Sequence, residues 1–285
     1  MPVHERGYTR WRRSGQPADP AWWVIARRGL AAPLKRRWNL LLLFVAWVPA
    51  VVKAVMIYIR SRTGDMASLV IQSDWSSISA AGALSFWDWQ RFFVFLALAI
   101  TGAGLVARDR RENGLALYFS RPLGLADYLV GKSLVVAGAY LMVTLLPALA
   151  LCLFSYLIDP AAAGLEMLLW TPARLVVFGV LSGAGLALVM LALSSMATRT
   201  VLVVVWWTVI AIGGDIVGHM GQGLGAPNLQ FVNFLKHWQN AGSLVLASGP
   251  RLPVSPWISL ALLALAVAAA VTVLRRRIRP VEVVT

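Results

Sequence analysis

A single cysteine, Cys152, is all the thiol chemistry that the 285 residues carry, and it sits inside an apolar run. One thiol cannot build a disulfide framework, a thiolate metal site or a redox pair within the chain, and a small buried hydrophobe is its ordinary role. Histidine is nearly as scarce: His4, His219 and His237 share no metal-ligand spacing, and no HExxH pattern occurs. Asp and Glu number 12 against 26 Lys and Arg, and none of these acids falls in the middle of a long apolar segment. Intramembrane acid–base chemistry, metal chemistry and proton- or sodium-coupled carriage all call for ionisable groups facing one another at depth, so those classes are disfavoured. No catalytic, cofactor or metal residue is assigned. Long polar stretches are missing too, so no segment between the apolar runs can enclose a soluble core of its own.

What abounds is apolar surface. Apolar residues make up 59% of the chain and charged residues 13%, against roughly 45–50% and about 25% in soluble proteins. The excess has no place in a water-soluble fold of this length. The net charge of +14 would suit nucleic acid if it lay along one exposed face, but the Lys and Arg residues gather at the ends of apolar segments. Anionic lipid headgroups are therefore the expected counter-charge, and no nucleic-acid partner is expected.

Crossing about 30 Å of hydrocarbon takes roughly 20 residues of helix. Six segments qualify, approximately 39–59, 89–107, 129–158, 173–198, 200–217 and 256–274, predicting an all-α integral membrane protein. Short loops rich in Lys and Arg stay cytoplasmic. Nine basic residues precede the first span; Arg108, Arg110, Arg111, Arg121 and Lys132 lie between the second and third, Arg199 between the fourth and fifth, and Arg275, Arg276, Arg277 and Arg279 after the sixth. All fall on one side, so both termini are expected in the cytoplasm, with a prokaryotic inner membrane as the expected location. A cleaved signal peptide is disfavoured by the length of the basic segment that precedes the first span.

Residues 1–38 form a basic arm in which Trp22, Trp23, Ile25, Ala26, Leu30 and Leu34 alternate with Arg27, Arg28, Lys35, Arg36 and Arg37. That pattern predicts a helix lying in the inner interface and leading into the first span. Residues 275–285 form a basic tail. Between the fifth and sixth spans, Leu229, Val232, Phe234, Leu235, Trp238, Leu244, Val245 and Leu246 are too apolar for a free loop and too interrupted for a span. A short helical or re-entrant element on the outer side is expected there. In the fourth span, Gly179, Gly183 and Ala187 place small residues on one face, a packing seam within the chain or between chains. Lys53, toward the far end of the first span, can snorkel outward or line a polar pathway.

The segment 126–133 fits a relaxed nucleotide-loop pattern, yet no strand precedes it and an apolar span follows, so nucleotide binding is not expected there. Between the second and third spans runs ARDRRENGLALYFSRPLGLADYLVGKSL. Asn113-Gly114 breaks the preceding helix, residues 115–119 can form a short apolar-faced helix, and Arg121-Pro122 ends it. This stretch resembles the ABC-2 type transporter permeases, through Glu112, Gly114, Leu115, Leu117, Ser120, Arg121, Pro122, Tyr128, Leu129, Gly131 and Lys132. The branches it is most similar to accompany nitrous-oxide-reductase maturation and gliding motility.

The resemblance implies a membrane subunit that exports or extrudes a substrate, with ATP and Mg bound by a separate ATPase present in two copies. It implies a second permease subunit, identical or not, and no ATPase site in this chain. Residues Arg108, Asp109, Arg110, Arg111, Glu112, Asn113, Gly114, Leu115, Leu117, Tyr118, Phe119, Ser120, Arg121 and Pro122 would form the coupling helix and its charged rim. A substrate path near Trp47, Lys53, Met56, Trp206, Trp207 and Thr208 would suit an apolar or amphipathic cargo. A membrane-anchored scaffold that recruits partners without transport is the alternative.

Overall fold

The computed structural model describes residues 19–63, 80–119 and 123–278. Regular structure among them is helical throughout. Six helices are long and apolar enough to cross a membrane: Arg37–Arg62, Gly82–Arg111, Leu125–Ile158, Glu166–Met196, Thr200–Gly223 and Pro256–Arg277, here spans 1 to 6. The protein is therefore a membrane-embedded all-α bundle. Spans 2, 4 and 5 run several residues past the expected limits, because helical hydrogen bonding continues where the apolar pattern stops. Contacts tie Asp109 of span 2 to Lys132 of span 3, and Arg110 to the end of span 4 at Ser195. These ends, together with Arg199 and the start of span 1, make up what is called the basic end below.

The small-residue face of span 4 receives span 3. A Cβ at Gly183 would stand 2.9 Å from the Tyr140 ring, Gly179 lies beneath Leu141 and Leu145, and Ala187 is fully buried. The seam is used within the chain. Tyr140 is held in it, sharing hydrogen bonds with Trp87 Nε1 at 3.0 Å and Ser182 Oγ at 2.7 Å.

The helix expected before span 1 is present at Ala21–Leu34. Its main neighbour is span 3. Ile25 sits over Gly131, Gly29 faces Val135 and Leu30 sits over Gly138, so the two helices run side by side in the same direction. A Cβ at Gly131 would lie 2.9 Å from Trp22 O, which is why span 3 needs glycine at that approach. This leading helix then turns into span 1, and Asn39 Nδ2 donates to Pro33 O across the joint at 3.1 Å.

Spans 1, 2 and 3 are broken; Thr144 closes the break in span 3 with its own hydroxyl on Tyr140 O at 2.9 Å, and the other two breaks are met by a neighbour's polar side chain. Span 1 is interrupted at 46–47, just before Pro49, and Gln90 Nε2 of span 2 donates to Ala46 O at 3.0 Å. Span 2 is interrupted at 103–104, and there the buried Ser194 of span 4 serves three backbone groups. Its hydroxyl donates to Ala103 O at 2.8 Å and accepts from Val106 N at 3.1 Å and Ala107 N at 3.0 Å.

Beyond span 5 the chain doubles back. A 3₁₀ turn, Pro227–Val232, packs on the glycine face of span 5, where a Cβ at Gly214 would lie 2.6 Å from Val232 O and one at Gly221 2.8 Å from Ala226 O. The inserted helix Phe234–Leu246 follows, packed against spans 2, 4 and 6. Its polar side chains point into protein. Asn240 Nδ2 donates to Val254 O and Ser259 Oγ, and Asn240 Oδ1 accepts from Arg251 N and Leu252 N. Gln239 donates to Leu84 O at 2.8 Å and Asp88 Oδ2 at 2.6 Å. The Trp238 ring lies against Gly185 of span 4. At the base, Arg91 bridges Asp88 at 3.3 Å and Asp215 at 2.6 Å, and Asn233 Nδ2 joins Asp215 at 2.7 Å.

Replacing Ser194 by Ala should orphan backbone groups inside the bundle, at a cost of about 1–3 kcal/mol. Ser195, whose hydroxyl donates to Ala192 O of its own helix, is the matched control, and S195A should cost no more than about 1 kcal/mol. Unfolding titrations in mixed micelles compare the two.

Candidate functional site

The helix joining spans 2 and 3 is present as Gly114–Phe119, here the connector helix. Span 2 ends through Glu112, and Asn113 takes the left-handed backbone, φ 52°, that reverses the chain. Asparagine tolerates that conformation better than most residues. Gly114 then approaches the Asp109 backbone, where a Cβ would lie at 3.4 Å. Leu115 and Tyr118 turn toward the bundle core. Leu117 and Phe119 belong to the same helix, whereas Ser120, Arg121 and Pro122 lie outside the described residues.

Beneath the connector helix lies an ionic and aromatic cluster. Asp109 Oδ2 accepts from Lys132 Nζ at 2.8 Å and from Tyr128 Oη at 2.7 Å. The ammonium stands 5.5 Å from the centroids of both the Tyr118 and Tyr128 rings, which meet edge to face. A cation between two aromatic faces and one carboxylate is fixed from several directions. Tyr128 and Lys132 are four residues apart on span 3, so both reach the same carboxylate, while Gly131 between them admits the leading helix. Sequence spacing thus has a structural purpose here: the Tyr-x-x-Gly-Lys pattern joins span 2, span 3, the connector helix and the leading helix at one point.

The expected charged rim is divided. Side chains of Arg111 and Glu112, 57% and 64% exposed, pair with each other at 3.0 Å. Arg108 is exposed as well. Asp109 and Lys132 are turned inward, with side chains 18% and 8% exposed. Arg110 donates to Ser195 O, where its cation also meets the carboxyl end of span 4. The cause is helical continuation through Arg111: Asp109 and Arg110, three positions on from the buried Val106 and Ala107, face the bundle, and Arg111 and Glu112 fall on the water side.

The proposed path residues are dispersed. Span 1 packs on spans 2 and 3, and span 5 packs on spans 2 and 4. Trp47, Met56 and Thr208 are half-buried and Trp206 is exposed, whereas Trp207 is fully buried, stacked on Phe95 and donating to its carbonyl at 3.1 Å. Thr208 Oγ1 donates to Val204 O of its own helix. Lys53 does not snorkel. It shares a buried face of span 1 with Ala46, Ala50 and Ile57, is 4% exposed, donates to Gly82 O and lies 5.9 Å from the Phe86 ring centroid.

The segment resembling a nucleotide loop is continuous helix from Leu125, and its lysine is the one held by Asp109. Among the described residues no group of three or more His, Cys, Asp or Glu side chains is arranged to hold a metal ion. Sequence reading missed the Asp109–Lys132 pair. Its signal was one acid at the end of span 2 and one lysine at the start of span 3, brought level by a short antiparallel connection.

Removing one partner of this pair leaves a buried charge uncompensated. K132M should lose about 3–5 kcal/mol. The double variant D109N/K132M, which removes both charges, should recover much of that loss in thermal unfolding in detergent. No protein-family model matches the chain, and no curated protein does.

Proposed function

We propose that this chain is the membrane subunit of an ABC-2 type transporter, working with a separate ATP-hydrolysing subunit to export or extrude an apolar or amphipathic substrate. The observation that supports this reading is the connector helix at the basic end, braced from beneath by the Asp109–Lys132–Tyr128–Tyr118 cluster. A six-residue helix braced against charged and aromatic side chains of spans 2 and 3 passes its displacement on to them. Gly114 seats it on the end of span 2 at Asp109, and that end is tied to span 3 through Asp109 and to span 4 through Arg110.

In this reading the exposed Arg111 and Glu112 set register with the ATPase, which charges at a rim do more effectively than they add affinity. The inward Asp109 and Lys132 carry the motion onward. Two copies of the permease face two ATPase copies, and the basic end faces the cytoplasm of a prokaryotic cell.

Contact and transmission should separate experimentally. The pair reversal R111E/E112R should weaken co-purification of the ATPase by about tenfold, a loss near 1.4 kcal/mol. D109N should leave co-purification within about threefold while uncoupling ATP hydrolysis from substrate. If replacing 109–112 leaves both ATPase association and its stimulation unchanged, the assignment fails.

A further inference from the structure

Between the leading helix, span 1 and the basic ends of spans 2 and 3 runs a groove with two zones. The polar zone, about 330 Å³, is lined by three cations, Arg36, Arg108 and Lys132, and two carboxylates, Asp109 and Glu112. The apolar zone is lined by Leu30, Leu42, Leu43, Ala97, Met142 and Val143. Pro33, Asn39, Ile100, Thr101 and Val135 line both, so the zones are one continuous groove. Along span 3 it passes from Lys132 through Val135 to Met142, rising about 15 Å from charge into hydrocarbon-like surroundings.

The charges in the polar zone are not equivalent. Lys132 is held by Asp109, and Glu112 by Arg111. Arg36 and Arg108 have no carboxylate partner among the described residues. Two guanidinium groups therefore remain to receive an anion, and their planar forks suit the oxygens of a phosphate. Thr101 is already satisfied by Ala97 O at 2.6 Å and Asn39 by Pro33 O at 3.1 Å, so the apolar zone offers little to a polar molecule.

We propose that this groove holds one anionic phospholipid of the leaflet that the basic end faces. Its phosphate lies between Arg36 and Arg108, and one acyl chain lies against Leu43 and Met142. The order of zones along span 3, charged and then apolar, is the order of a lipid molecule entering from the headgroup region. The leading helix forms one wall, so the lipid fills the cleft that separates this helix from span 2. This site does not depend on the transport reading.

The test titrates the purified full chain with dioleoylphosphatidylglycerol and dioleoylphosphatidylcholine and reads lipid adducts by native mass spectrometry. The parent should retain one phosphatidylglycerol about tenfold more tightly than phosphatidylcholine. R36Q/R108Q should lose at least about tenfold in phosphatidylglycerol retention, and R275Q/R276Q, which removes equal charge from the exposed end of span 6, less than about threefold. Ala139 of span 3 also lines the apolar zone, and A139F, which fills that zone with both arginines intact, should weaken retention by about tenfold as well.

Equal loss in the two arginine pairs would mean diffuse surface charge and overturn the site. Unchanged retention in R36Q/R108Q overturns it too. Displacement of the lipid by glycerol phosphate at equal concentration would assign the polar zone to a small soluble anion instead. Should R36Q/R108Q fail to fold, A139F decides alone, since unchanged retention in that variant excludes an acyl chain from the groove.

Discussion

A backbone carbonyl or amide released by a broken turn inside an apolar bundle has no water to turn to, and must find its partner in protein. Much of the polar chemistry of this chain answers that demand. Gln90 closes the break in span 1, Ser194 serves three groups at the break in span 2, and Asn240 holds the loop before span 6 by its Arg251 and Leu252 amides. Each comes from a different helix than the groups it satisfies. The polar residues that look out of place in apolar segments are therefore the joints of the bundle.

That constraint also shapes the basic end. Because Ser194 stabilises the interruption at 103–104, the last turns of span 2 keep helical geometry, and Asp109 and Arg110 meet Lys132 and Ser195. The proposed coupling role thus rests on a serine some distance from the connector helix. Structural polar groups and candidate functional ones form one continuous arrangement here.

Much of the architecture was legible in the residues. Six apolar runs bounded by charge marked the six spans, Asn113-Gly114 marked the chain reversal, and the Gly179, Gly183 and Ala187 face marked a helix seam. These are local signals, written in consecutive residues or in one helical period. What could not be read depends on pairs far apart in the chain. Lys53 sits in an apolar span and looks free to snorkel, yet its buried face is set by span 2 through Gly82. Asp109 and Arg110 look like two more rim charges until spans 3 and 4 are placed beside them. The leading helix has the basic and aromatic pattern of a surface helix, and only Gly131 and Gly138, about a hundred residues on, show which partner it takes.

That last pairing bears on how the chain is made. At a synthesis rate of about 5–20 residues per second, the leading helix emerges many seconds before the glycine notches that receive it. Its arginines and tryptophans equip it to wait at the lipid surface, where such a pattern is stable alone. Docking then becomes a late event, possible only after the third apolar run has left the ribosome. The leading helix is thus made about a hundred residues ahead of the seat it comes to occupy.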